Sequence, residues 1–128
     1  VVTTPQDIAL IDAKKGLRMF QKVNVPILGI IENMSVFICP HCGEVEHIFG
    51  EGGAKRMSEQ YGVPLLGELP LSAKIREQAD SGLPTVAAEP DGKEALMYRE
   101  MAMKVAGALA RITKDYTAKM PGIRVVND

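Results

Sequence analysis

Val25-Pro26-Ile27-Leu28-Gly29-Ile30-Ile31-Glu32-Asn33-Met34-Ser35 contains a continuous apolar run, Ile27 to Ile31, of strand length. A strand with one wet face alternates apolar and polar residues. A run that does not alternate reads as a strand covered on both faces, the signature of a parallel sheet. The run stops at Glu32-Asn33-Met34-Ser35, so polar side chains collect at the strand's carboxyl end. In open α/β sheets that end faces the ligand crevice.

Working outward, Val1-Val2-Thr3-Thr4 is β-branched throughout and reads as the end of a second buried strand. Thr4-Pro5-Gln6-Asp7 follows as a helix start, with Thr4 as cap, Pro5 at the first helical position and Asp7 as a capping-box acid. That helix is expected to run to about Lys22, with Leu10, Ala13, Leu17 and Phe20 on its buried stripe and Ile8 and Ile11 widening it. Downstream, Ala54 to Tyr61 reads as a helix closed by Gly62, and Val63 to Pro70 as a third strand. Ser72 caps a short helix from Ala73 to about Ala79, and Leu83 to Val86 reads as a brief extended piece. A long helix spans about Asp91 to Ile112, carrying Ala95, Tyr98, Ala102, Val105, Leu109 and Ile112 at helical steps. Its Met97, Met101 and Met103 are expected in the core. Strands alternating with helices predict an α/β fold with a mostly parallel sheet flanked by helices. Three strands are few for such a sheet, and the chain opens on Val1 in mid-strand, so an N-terminal part is expected to precede it.

Composition narrows the function classes. The chain has 128 residues, 46% hydrophobic and 24% charged, as an ordinary globular domain has. A net charge of −1 argues against a nucleic-acid footprint or a polybasic membrane patch. No apolar run approaches membrane-spanning length, and no signal segment opens the chain. The two cysteines, Cys39 and Cys42, stand as C-x-x-C, which in such a chain points to a reducing compartment and a metal or redox role.

Those cysteines sit in Val36-Phe-Ile-Cys-Pro-His-Cys-Gly-Glu-Val-Glu-His-Ile-Phe49, where β-branched and aromatic flanks enclose a Pro-His-Cys-Gly turn. The stretch reads as two short strands presenting two thiols on the tip of a knuckle. Two thiolates supply half of a tetrahedral S₄ site, for a cluster or for zinc. His47 stands where it could close on a zinc, but an alternating strand more simply turns it to solvent. The Pro-His dipeptide also occurs in oxidising thioredoxin-fold enzymes, where the first cysteine starts a helix. Here Gly43 and a strand-like Val45–Phe49 follow instead. Gly50, Gly52 and Gly53 precede a helix and could bind an anion, although Lys55 is not in a phosphate-loop position; a hinge behind the knuckle is the simpler reading. Asn33, by itself, reads as a turn residue.

Taken in order, six stretches resemble the C-terminal half of the Mrp/ApbC family, iron–sulfur cluster carrier ATPases related to MinD-type P-loop proteins. They are residues 1–10, Gly29-Ile-Ile-Glu-Asn-Met-Ser35, Cys39-Pro-His-Cys-Gly43, Phe49-Gly-Glu-Gly-Gly53, Gly67-Glu-Leu-Pro-Leu71 and Ser81-Gly-Leu-Pro84. The resemblance implies a cytoplasmic homodimer in which Cys39 and Cys42 of each subunit hold one bridging [4Fe–4S] cluster for delivery to apo-proteins. It implies that Asn33 reads an adenine base, bordered by the backbone of Pro70 and Leu71, with ATP and Mg²⁺ bound by the full-length protein. The chain departs from the family in one respect: the loop G-x-x-x-x-G-K-[ST] and the acidic Mg²⁺-binding segment are absent from it. As given, it is not expected to hydrolyse ATP. Residues 1–113 are therefore expected to be the C-terminal part of a P-loop NTPase-like domain, with the knuckle at 36–49 and a peripheral tail at 114–128. Two other classes compete: a zinc-knuckle binding module, and a MinD- or ParA-like positioning ATPase, which has no reason to carry the C-x-x-C.

Overall fold

The computed structural model describes residues 1–112; the expected tail, 114–128, lies outside them. Along the chain come β1 (Val2–Thr3), α1 (Asp7–Lys22), β2 (Ile30–Glu32), β3 (Phe37–Ile38), β4 (Val45–Glu46), α2 (Gly53–Tyr61), β5 (Leu65–Glu68), α3 (Ala73–Asp80), α4 (Thr85–Ala88) and α5 (Lys93–Ala110). Strands β1, β2 and β5 form a parallel sheet in that order, and β3 and β4 form a separate antiparallel hairpin. The α/β, mostly parallel expectation therefore holds, with the knuckle as an insertion between β2 and α2.

Ile30 is fully buried, while Ile31, on the opposite face of β2, is only partly covered, so the expected two-sided burial is complete on one face alone among the described residues. It joins Leu10 and Leu17 of α1, Ala54 and Met57 of α2, and Val63 in one core. On β5, Met101 of α5 packs against Gly67, whose missing side chain makes the room. Gly29 is needed for a similar reason: a Cβ there would lie 2.7 Å from the Pro64 carbonyl oxygen. Because the three strands are parallel, Thr3-Thr4, Glu32-Asn33 and Glu68-Leu69-Pro70 emerge along one edge of the sheet.

Four local expectations are corrected. Thr4 does not cap α1: its hydroxyl donates to Gln6 Oε1 at 2.6 Å, and the helix begins at Asp7 without a side-chain cap. The stripe of α1 is narrower than expected, since Ile8, Ile11 and Phe20 are exposed. Leu83–Val86 is not extended; the Pro84 carbonyl accepts from the N–H groups of Ala87 and Ala88 and starts the single turn of α4. Of the α5 methionines only Met101 is buried, and Leu109 and Ala102 of the expected stripe are exposed, because β5 offers α5 only a short track.

Candidate metal centre and adjoining cleft

The knuckle is a hairpin with Phe37 opposite Glu46 and Ile38 opposite Val45. Its tip is closed by two backbone bonds, Cys39 N–H to Glu44 C=O and Gly43 N–H to Cys39 C=O, both 2.9 Å. Gly43 has φ +75°, a left-handed conformation that glycine adopts without strain. Both cysteines are free thiols, Cys39 half-buried and Cys42 exposed. The Cys39 thiol is held below its ordinary value by hydrogen bonds from the backbone of Cys42 and His41 and from the Cys42 side chain. Thiolate is the metal-binding form, so this turn favours the soft donor that iron or zinc takes. Among the described residues, no group of three or more His, Cys, Asp and Glu side chains converges to hold a metal. His47 lies 3.9 Å from Glu51 Oε1, in line with the solvent-facing reading.

Next to the knuckle lies a cleft of about 520 Å³, lined by Asn33, Met34, Phe37, Pro70, Leu71 and the inner face of α3. The three residues that the resemblance marked for a base thus share one wall set. Asn33 Oδ1 accepts from the Met34 N–H at 3.0 Å, which supports Met34 at φ +56°. That bond leaves one Oδ1 lone pair and both Nδ2 hydrogens for a ligand. The amide orientation follows from this network. Chain 35–37 then runs beside 69–71: Ser35 N–H donates to Leu69 C=O at 2.9 Å, and Leu71 N–H donates to Val36 C=O at 2.7 Å. Phe37 and Leu71 form an isolated parallel bridge.

Sequence reasoning missed Glu32, Met34 and Phe37. Glu32 is 1% exposed, and its Oε2 accepts from Ala54 N–H at 2.6 Å, at the start of α2. Its Oε1 has no partner among the described residues. The signal was strand parity: Glu32 stands two residues after Ile30, hence on the same inward face. This also answers the glycine cluster. The helix N-terminus does bind an anion, and that anion is the chain's own carboxylate. The hinge expectation fails at Gly53, which is buried and packed so closely on Pro5 that a Cβ would lie 2.7 Å from its carbonyl oxygen.

A parallel sheet flanked by helices, with a cleft beside its carboxyl edge, places the chain in the α/β class. Solved structures agree. The Pyrococcus furiosus cell division ATPase MinD matches with a TM-score of 0.63 and 26% identity, over 82% of this chain and 40% of that one. A nucleotide-binding protein from Archaeoglobus fulgidus, in complex with ADP, matches with a TM-score of 0.57 and 29% identity, over 74% of this chain and 37% of that one. The fold is that of the P-loop NTPases.

The family is narrower. The family model described as ParA, NUBPL iron-transfer P-loop NTPase, matches residues 1–106, and the chain belongs to that family. A curated relative, the iron-sulfur cluster carrier protein of Escherichia coli K12, is 57% identical over 109 residues, 85% of this chain. The chain spans 30% of that relative's length. Among the described residues, no helix is long and apolar enough to cross a membrane.

Proposed function

We propose that this chain is the cluster-holding and base-reading part of an iron–sulfur carrier ATPase. Two copies present Cys39 and Cys42 to one another, and four thiolates hold a [4Fe–4S] cluster as cargo between them. The observation that carries this reading is the exposed hairpin tip: two free thiols at its end, with no further ligand gathered from the described residues. A site built in this way is half a site, and a second copy completes it with the same half. In the full-length protein, ATP with Mg²⁺ occupies the cleft of Asn33, Pro70 and Leu71, hydrolysis depends on the phosphate loop outside this chain, and the cluster passes to apo-proteins. A reducing cytoplasm suits two thiols kept free.

The test is native mass with iron, sulfide and zinc content, on chain purified without air. A dimer with about four irons and four sulfides per pair of chains is expected. Cys39→Ser and Cys42→Ser should each abolish the iron while leaving the fold unchanged, since both side chains stand outside the core. A metal-free monomer would overturn the reading for this chain. Bound zinc that survives anaerobic cluster reconstitution would favour the second reading, a zinc knuckle that holds copies or partners together.

A further inference from the structure

Phe37 belongs to the cleft and to the knuckle at once. It lines the cleft together with Asn33 and Leu71, and its backbone bridges Leu71 on one side and pairs with Glu46 of the hairpin on the other. Cys39 follows two residues later, immediately beyond β3. A ligand filling the cleft would meet Phe37 among its lining residues, and a shift of the Phe37 backbone would carry β3 and the Cys39 that follows it. The other end of the insertion is held differently. Residues 33–53 return to the sheet at α2, and there the buried Glu32 carboxylate grips the Ala54 N–H. The exit is therefore anchored in the core, and the entry is anchored on the ligand cleft.

We propose that Phe37 is the positioning residue that transmits occupancy of the base cleft to Cys39, with the Glu32–Ala54 contact as the fixed point about which the hairpin tilts. The inference rests on the base-cleft reading above and deepens it. Only one wall of the cleft is continuous with a metal-ligating residue, so the direction of the coupling is set. A base pressing on Phe37 displaces β3 relative to β5 and changes the approach of the Cys39 thiol to its cluster, whereas α3 on the far wall has no such connection.

The experiment uses the chain with adenosine as probe, followed by backbone amide shifts and by the alkylation rate of the thiols. In the wild-type chain, adenosine is expected to shift Asn33 and Leu71 and also Cys39 and Glu44, and to change the alkylation rate about twofold or more. In Phe37→Ala, compared at matched occupancy judged by the Asn33 side-chain amide, the Cys39 shift and the rate change should be lost. Phe37→Leu, which keeps much of the apolar contact, should restore part of both. A Cys39 response that persists in Phe37→Ala overturns the inference, and so does a wild-type chain in which Asn33 shifts and Cys39 stays silent. If adenosine shifts neither Asn33 nor Leu71, the base-cleft reading falls, and the coupling built on it falls too.

Discussion

Replacing Glu32 by alanine tests whether a buried acid is being used as a helix anchor. Its side chain is 1% exposed, and one carboxylate oxygen takes the Ala54 N–H at 2.6 Å. Losing a hydrogen bond to a charged group costs about 1.5–3 kcal/mol. The one methylene withdrawn from the core adds about 0.8 kcal/mol. Against this stands the unpaired Oε1, whose desolvation penalty of about 1–3 kcal/mol disappears with the side chain. The balance is a loss of about 1 kcal/mol, which for a domain of this size is a fall of roughly 5 °C in the midpoint. Glu32→Gln keeps an oxygen for Ala54 and gives up the charge at the helix N-terminus, worth about 0.3–1 kcal/mol. It should therefore stay within about 1 kcal/mol of wild type. Urea unfolding followed by circular dichroism measures both, provided the slope is unchanged. Two results refute the reasoning: an alanine variant as stable as wild type, or a glutamine variant as damaged as the alanine one.

Two further outcomes follow from the packing and from the charges. Gly29→Ala brings a Cβ against the Pro64 carbonyl and should cost about 1–3 kcal/mol, whereas Gly16→Ala, with nothing within 4 Å of its new Cβ, should gain about 0.5–1 kcal/mol; paired urea melts check the opposite signs. Lys74, paired with Glu89, is held above its ordinary value chiefly by its hydrogen bond to that carboxylate. A raised lysine value gives stability that is complete below the unfolded value of about 10.4 and is lost as pH rises through the folded one. The fall in thermal midpoint between pH 9 and strongly alkaline buffer should thus be smaller in Lys74→Met than in wild type. The difference should shrink further in high salt, because both partners are largely exposed.

Much of the arrangement was legible because it rests on local pattern. The unalternating run before Glu32 pointed to a strand covered on both faces; Ile30 is fully buried, and Ile31 on the other face is partly covered. The spacing of Cys39 and Cys42, with their strand-like flanks, specified a hairpin tip. Asn33, Pro70 and Leu71 came from resemblance, not from physics, and the structure brings them to one cleft. What escaped depends on partners distant in sequence. Glu32 reads as a solvated strand end until Ala54 arrives from 22 residues away. Phe37 reads as hairpin packing until Leu71 comes beside it. The apolar stripes of α1 and α5 say which residues could be covered, but not how far the neighbouring element extends. That is why Ile8, Ile11 and Met103 were placed inside and stand outside.

The hairpin has two paired residues on each strand, and most of its side chains stand in solvent. A pair that short is marginal in water, so its order is borrowed from the Leu71 bridge below and from whatever the thiols bind above. For such an element, metal binding free energy is spent on local folding, and letting go of the metal is repaid in chain entropy. In the proposed carrier role, the grip on a cluster would thereby be lowered without weakening any single bond to sulfur. A pair of thiols set on the parallel sheet would bind more tightly and release more slowly. In the proposed carrier role, a tip held so lightly by its own pairing would make the two thiols a handle that a recipient could pull open.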